Sequence, residues 1–372
     1  MFSKTILSSA LLALPFSILA LPAPASPALF RRDAGPVLEQ DSVNASLPNV
    51  TIYATGGTIA SKGETSGQTV GYSVGLGVKD LVDAVPEILN ISNIYGLQVA
   101  NVGSQEVDYN ILLALAHNIT KDLAKEETTG VVVTHGTDNL EETAFFLDLV
   151  INSTKPVVVV GSMRPATALS ADGPLNLYQA VTLAASEKAK NRGAMIVLND
   201  RIGAAFYATK NSANSLDTFY ATEQGQLGFF INQVPYFYYT PAAVPGKPHF
   251  SVGANTSLPQ VDIIYTHEDN NPALVKASIE SGSKGIVFAG SGAGSVDDAM
   301  LAVAEKQFNS THTPMVVSHR TVDGFVPVED VQDYMIPSGF LNPQKARVLL
   351  QLAVNAGYSN EKVREVFDAL HP

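Results

Sequence analysis

Short β-branched runs alternate with helix-period segments along this chain, and each run ends on a polar tip; no other feature restricts the fold so much. Leu97 to Val102 reads as a strand tipped by Gly103-Ser104-Gln105, followed by a helix from Asp108 to Leu123 with Ile111, Leu112, Leu115 and Ile119 on one face. Val131 to Thr134 is tipped by His135-Gly136-Thr137-Asp138. Asp138 and Glu141 form a D-x-x-E capping pattern, which predicts a helix from there through Leu149. Pro156 to Val160 ends on Gly161-Ser162-Met163-Arg164 before a helix from Pro174 to Lys188; Ala194 to Leu198 is a further strand, with Lys210 in the polar stretch beyond it. Such alternation specifies an α/β fold with a mostly parallel open sheet and helices on both faces, which takes its ligands at the carboxyl ends of the strands. The polar tips therefore line one crevice.

The first tip is the most distinctive. Val50 to Ala54 is β-branched and aromatic enough for a buried strand, and Gly56-Gly57 ends it where the backbone needs positive φ or a close approach. Thr58 is left at the strand's carboxyl end. Ser61 to Gly77 follows, with glycines at 63, 67, 71, 75 and 77 around Tyr72, and reads as a mobile loop that can serve as a lid.

The alternation breaks at Tyr236 to Val252, rich in Pro, Tyr and Gly, and then resumes. Strands at Val261 to Tyr265, Gly285 to Ala289 and Met315 to Ser318, with helices at Pro272 to Ser281 and Val296 to Phe308, predict a second, smaller α/β domain. Asn342-Pro343 is an N-cap followed by proline at the first helical position, opening a helix to Ala356. The expected division is a catalytic domain at 48–250, a linker at 251–258 and a C-terminal domain at 259–372.

Ahead of these lie an expected signal peptide at 1–20, built from Lys4, the apolar run Ile6 to Leu19 and Ala20, and a flexible or processed arm at 21–47 with Arg31-Arg32 as a second processing site. Pro15 interrupts the apolar run, which is too short for a membrane span. Sequons at Asn44, Asn49, Asn90, Asn118, Asn152, Asn255 and Asn309 fit a glycosylated, secreted protein. The chain has no cysteine, so its stability must come from core size or oligomerisation. A net charge of −12 without a Lys/Arg stripe argues against nucleic acid and anionic membrane as partners.

The chemistry narrows by elimination. Gly290 to Ser295 has Ser where a dinucleotide fingerprint needs its third glycine and lacks the Lys of a P-loop. The histidines, His135 included, show no metal-ligand spacing, and there is no G-x-S-x-G elbow. No cofactor or metal is expected. Hydroxyls, a lysine and carboxylates remain: Thr58 and Thr137 as candidate hydroxyls, and Lys210 and Tyr72 as candidate activators. Ser104 and the helix start after Thr137 offer donors to a carboxylate, and Asp138 offers a counter-charge to an ammonium. An amino-acid substrate satisfies both. A binding module for amino acids would use the same groups, without needing Lys210 and a second threonine cluster.

At this point the motifs resemble a known family. Ala-Thr-Gly-Gly-Thr-Ile-Ala at 54–60 and Thr-His-Gly-Thr-Asp at 134–138 are similar to the paired signature of bacterial-type L-asparaginases of the secreted type II group. The likeness continues through Gly-Ser-Gln at 103–105, Glu-Glu-Thr-Ala-Phe-Phe-Leu-Asp-Leu at 141–149, Met-Arg-Pro and Ser-Ala-Asp-Gly-Pro within 163–174, and Leu-Asn-Pro-Gln-Lys-Ala-Arg at 341–347. The resemblance implies Thr58 as nucleophile with Tyr72 on the lid, and Thr137 and Lys210 as a second catalytic cluster. It implies Gly57, Ser104, Gln105 and Asp138 around the substrate, Ser162 facing the side-chain amide, Glu329, with the adjacent Asp330 as the alternative, meeting the Tyr72 hydroxyl, and Ser295 where some relatives carry Asn. Hydrolysis of L-asparagine, or of a broader range of amides including L-glutamine, would follow, in a homo-oligomer built as a dimer of dimers with sites shared between chains.

Overall fold

The structure is a computed structural model that describes Leu38, residues 43–253 and residues 256–371. The expected leader, the Arg31-Arg32 site, most of the 21–47 arm and the sequon at Asn255 lie outside the described residues.

The larger part builds one eight-stranded sheet. In chain order its first half comprises β1 (Asn49–Gly56), a short ribbon of β2 (Ser61–Lys62) and β3 (Ser73–Val74), α1 (Val78–Asp83), β4 (Asn93–Val102), α2 (Tyr109–Leu123), β5 (Thr128–Thr134), α3 (Leu140–Val150), β6 (Val157–Val160), α4 (Gly173–Ala184) and β7 (Ala194–Leu198). Five strands, in the order β4-β1-β5-β6-β7, pair in parallel. The sheet then continues antiparallel through β8 (Arg201–Ala204), β11 (Gly228–Ile231) and β12 (Val234–Phe237), while β9 (Thr209–Lys210) and β10 (Phe219–Tyr220) form a separate ribbon.

Alternation within the strands explains the two covered faces. Val50, Ile52, Val132, Val158, Val160, Met195 and Val197 join a core with Leu81 and Val82 of α1 and Leu177, Ala180, Val181 and Leu183 of α4. The intervening Val131, Val133, Val157, Val159 and Ile196 are buried as well, and α2 and α3 pack against the same strands. In this strand order the connections diverge between β1 and β5, which is the switch point where open α/β sheets bind ligands. Thr58 follows β1 and Thr137 follows β5, one on each side of it.

The smaller part is a parallel four-stranded sheet in the order β13 (Asp262–Tyr265), β14 (Ile286–Gly290), β15 (Met315–His319), β16 (Ile336–Pro337), with α5 (Ala273–Glu280), α6 (Asp298–Thr311), α7 (Pro343–Asn355) and α8 (Asn360–Asp368). Asn342 caps α7 as expected, its side chain accepting from Lys345 N at 3.0 Å. Helix α7 packs on both the small sheet and α3, carrying its first turn towards the larger sheet's crevice.

Three local expectations change. The helix after Thr137 starts at Leu140 with Asn139 as N-cap and no side-chain cap, because Asp138 and Glu141 both have stronger partners elsewhere. The 61–77 segment is a tied ribbon: Ser61 pairs with Val74, Gly75 and Leu76 donate to the Ala60 carbonyl, and the Gln68 amide bonds Glu64 N, Val70 O and Gly71 O. Lys210 lies on a strand, paired with Phe219 across the β9–β10 ribbon.

Candidate active site

The crevice depends on two glycine-threonine tips in backbone contact. Gly57 sits at φ +80°, and a Cβ there would fall 2.2 Å from Gly136 N; one on Gly136 would fall 3.1 Å from Gly57 Cα. Only glycine allows the tips to approach so closely, and the approach brings Thr58 and Thr137 to one place. Gly57 N donates to Val102 O at 2.8 Å, and Thr55 Oγ1 donates to Thr134 O at 2.8 Å, so the tips are also locked to β4 and β5.

Each threonine has its own partner. Thr58 Oγ1 lies 3.0 Å from Tyr72 Oη, which the β2–β3 ribbon holds over it. Lys210 Nζ donates to Thr137 Oγ1 at 3.0 Å and to Asp138 Oδ1 at 2.6 Å. The Lys210 side chain is 12% exposed whereas that of Asp138 is 72% exposed, so the cation is largely shielded and its counter-ion faces outward. Asp138 is thus shared: Oδ1 holds Lys210, and Oδ2 has no protein partner among the described residues.

The remaining expected positions divide. Ser104 is buried, its Oγ accepting from Asn139 N at 3.4 Å, with Gln105 exposed beside it on a single 3-10 turn. Ser162 is buried and donates to Arg164 O at 2.8 Å. Ser295 and Glu329 are exposed on loops of the smaller sheet, and neither is hydrogen-bonded to Thr58 or Tyr72 within the chain. His135 packs under the β5 tip; its Nδ1 donates to the Gly136 carbonyl at 2.7 Å, which leaves Nε2 to accept from Thr143 Oγ1 at 2.9 Å. Burial holds this imidazole down to about 4, the Gly136 carbonyl opposing the shift. No His, Asp or Glu cluster suited to a metal ion occurs among the described residues.

Two buried charged residues to which the sequence assigned no site role support Lys210. Glu141, 2% exposed, accepts from Lys210 N at 2.5 Å, from Thr209 Oγ1, from Asn342 Nδ2 at 3.0 Å and from Gln344 Nε2 at 2.6 Å. Lys345, equally buried, donates to the carbonyls of Ala205, Phe206 and Ala208 at 3.0, 2.9 and 2.8 Å. Burial lowers its ammonium to about 8 against the pull of Glu141 and Asp148. The available signal was a charge inside an apolar helical period: Glu141 in Leu-Glu-Glu-Thr-Ala-Phe-Phe, and Lys345 ahead of Ala-Arg-Val-Leu-Leu.

Residues 49–243 match the family model described as asparaginase, N-terminal, and residues 260–367 match the glutaminase/asparaginase C-terminal domain. The chain belongs to the asparaginase family. It is 53% identical over 336 residues to L-asparaginase 2-3 of Saccharomyces cerevisiae, covering 89% of this chain and 93% of that one. With L-asparaginase 2 of Escherichia coli it shares 42% identity over 332 residues, 87% of this chain and 93% of the other. Among solved structures, a probable cytoplasmic L-asparaginase from Campylobacter jejuni superposes with a TM-score of 0.82 at 41% identity, over 87% of this asparaginase and 99% of the bacterial chain. That relative corrects one expectation. The leader and the sequons predict secretion, yet a solved relative that covers 87% of this chain is described as cytoplasmic. The expected secretion is therefore contradicted, and the sequons lose their support as glycan sites.

Proposed function

We propose that this chain hydrolyses L-asparagine to L-aspartate and ammonia with Thr58 as nucleophile. One observation carries the reading: Lys210 holds Thr137 and Asp138 at 3.0 and 2.6 Å on the β5 tip that abuts the Thr58 tip. A hydroxyl beside a shielded ammonium is easier to deprotonate, whether the proton leaves Thr137 or a water that it holds. In the proposed reaction the Thr58 Oγ1–carbon bond forms as the hydroxyl proton passes to the amide nitrogen, and the C–N bond breaks so that ammonia leaves; water then adds to the Thr58 ester, the Oγ1–carbon bond breaks, Oγ1 regains a proton and aspartate is released. Backbone N–H groups at the strand tips stabilise the tetrahedral oxyanion.

The substrate's two charged ends have matching groups. Asp138 Oδ2 takes the α-ammonium, Ser104 and Gln105 take the α-carboxylate, and Ser162 faces the side-chain amide beside Gly57. Catalysis rests with residues of 48–250, and we assign Glu329 and Ser295 to completing the site of a neighbouring chain in a dimer of dimers. Their exposure and lack of any bond to Tyr72 within the chain support that assignment.

Ammonia release from L-asparagine, L-glutamine and D-asparagine, measured side by side, tests the reading. L-asparagine is expected to give the highest kcat/KM. Comparable or higher values with L-glutamine would make the enzyme a glutaminase-asparaginase, and no release from any of the three would refute amide hydrolysis.

A further inference from the structure

We infer that Glu141 is a positioning residue that fixes Lys210 against Thr137, and that it is itself held in place by the first turn of α7 from the smaller domain. The inference rests on the amidase reading of the same site, which gives Lys210 its task.

The geometry is that of a saturated buried carboxylate. An ionised carboxyl group has about four acceptor positions, and a charge left short of partners in an interior is costly. All four are used at Glu141: Oε2 receives Thr209 Oγ1 and Lys210 N, and Oε1 receives Asn342 Nδ2 and Gln344 Nε2. Two of these donors belong to β9 and two to the start of α7. Glu141 itself lies in the first turn of α3, three residues beyond Asp138, on the continuous backbone that carries Thr137. Holding the main chain of Lys210 from that turn ties both ends of the Nζ–Oγ1 contact to a single segment.

Lys345 completes the clamp from the opposite side. Its ammonium has three protons, and all three go to carbonyls of residues 205–208, the turn that delivers the chain into β9. An anion on α3 therefore holds the N–H side of the Lys210 segment, and a cation on α7 holds the carbonyl side just before it. Neither charged group reaches the crevice: both are 2% exposed, and every polar atom of each is committed. Their effect on a reaction has to pass through Lys210.

The test is a double-mutant cycle on the full-length chain. Glu141→Gln keeps the shape but turns one acceptor oxygen into a donor facing donors, which displaces the β9 backbone. Small displacements of a reacting group cost on the order of 100-fold in rate, so kcat is expected to fall roughly 100-fold with KM within about threefold of wild type. In a Lys210→Met background the same change should cost less than about twofold, because the group it positions is gone. Equal losses in both backgrounds, or a loss confined to KM, would overturn the proposal. Gln344→Leu removes one donor at the helix start and decides the matter if Glu141→Gln does not fold; it should lower kcat by roughly fivefold, again only when Lys210 is present. A wild-type chain that releases no ammonia would refute the amidase reading alone. The positional claim would then be read from crystal structures of wild type and Glu141→Gln, in which an unchanged Lys210 Nζ–Thr137 Oγ1 separation would overturn it.

Discussion

Thr58 and Tyr72 meet hydroxyl to hydroxyl at 3.0 Å although fourteen positions separate them, because Ser61 and Lys62 pair with Val74 and Ser73 and fold the intervening segment back over the β1 tip. If Thr58 makes the bond to the substrate and Asp138 binds its ammonium, the two functions separate in variants. Thr58→Ala should lose at least about a thousandfold in kcat while aspartate still binds by calorimetry; Asp138→Ala should chiefly raise KM. Near-normal turnover in Thr58→Ala would sink the mechanism.

Gly57 is constrained by space as well as by φ. Gly57→Ala forces a Cβ to 2.2 Å from Gly136 N, so either the two tips part or the strand shifts. Expected are a loss of about 3–5 kcal/mol in denaturant unfolding and loss of activity even where the protein remains folded. Gly225, at φ +76° with nothing within 4 Å of a built Cβ, is the control. Gly225→Ala should cost only the conformational strain, about 1 kcal/mol, and leave turnover intact. Equal losses at the two positions would mean that tip contact does not matter.

Much of this arrangement is legible in the chain because period-2 and period-3.6 apolar patterns each leave a residue-level trace, and Gly-Thr after a β-branched run marks a strand tip directly. The polar tips at 58, 104, 137 and 162 follow from that pattern alone. Glu141 shows its limit: a D-x-x-E spacing reads as a cap from local rules, but the carboxylate instead has four donors drawn from residues 68 to 203 positions away, which no local rule contains. Lys345 is hidden for the same reason, its three carbonyl partners lying 137 to 140 residues earlier. The ribbon at 61–77 was obscured by its glycines, which are compatible with a loose loop and with a tight one; the Gln68 side chain, bonding three backbone groups, makes it tight.

His135 gives the fold a defined acid sensitivity. Folded, it titrates at about 4; unfolded, near its ordinary 6.5. As pH falls below 6.5 the unfolded chain gains a proton that the native imidazole refuses, so native stability drops from about pH 6.5 down to about pH 4 and levels off below. The shift corresponds to roughly 3 kcal/mol. Carboxylates titrate over part of this window, so the measurement is the difference between wild type and His135→Gln in urea unfolding across the range. The wild type should lose stability relative to the variant on acidification, and parallel pH profiles would refute the assignment.

Completion of each site by a second chain makes a prediction that no single-chain mechanism shares. Tyr72 bonds only Thr58 among its own chain's described side chains, while Glu329 stands exposed on a short turn of the smaller domain. Closed two-fold assemblies make reciprocal contacts, so a residue lent to a neighbour is matched by one received. Thr58→Ala and Glu329→Ala should each be inactive alone. Mixed under conditions that let chains exchange, they form hybrid dimers in which one site has lost both residues and the other has both intact. Statistical mixing puts about half of the dimers in the hybrid form, each with one working site, so activity should return to roughly a quarter of the wild-type level per chain. Absence of recovery despite exchange demonstrated by mass-labelled chains, or full activity in a verified monomer, would show that each chain builds its site alone.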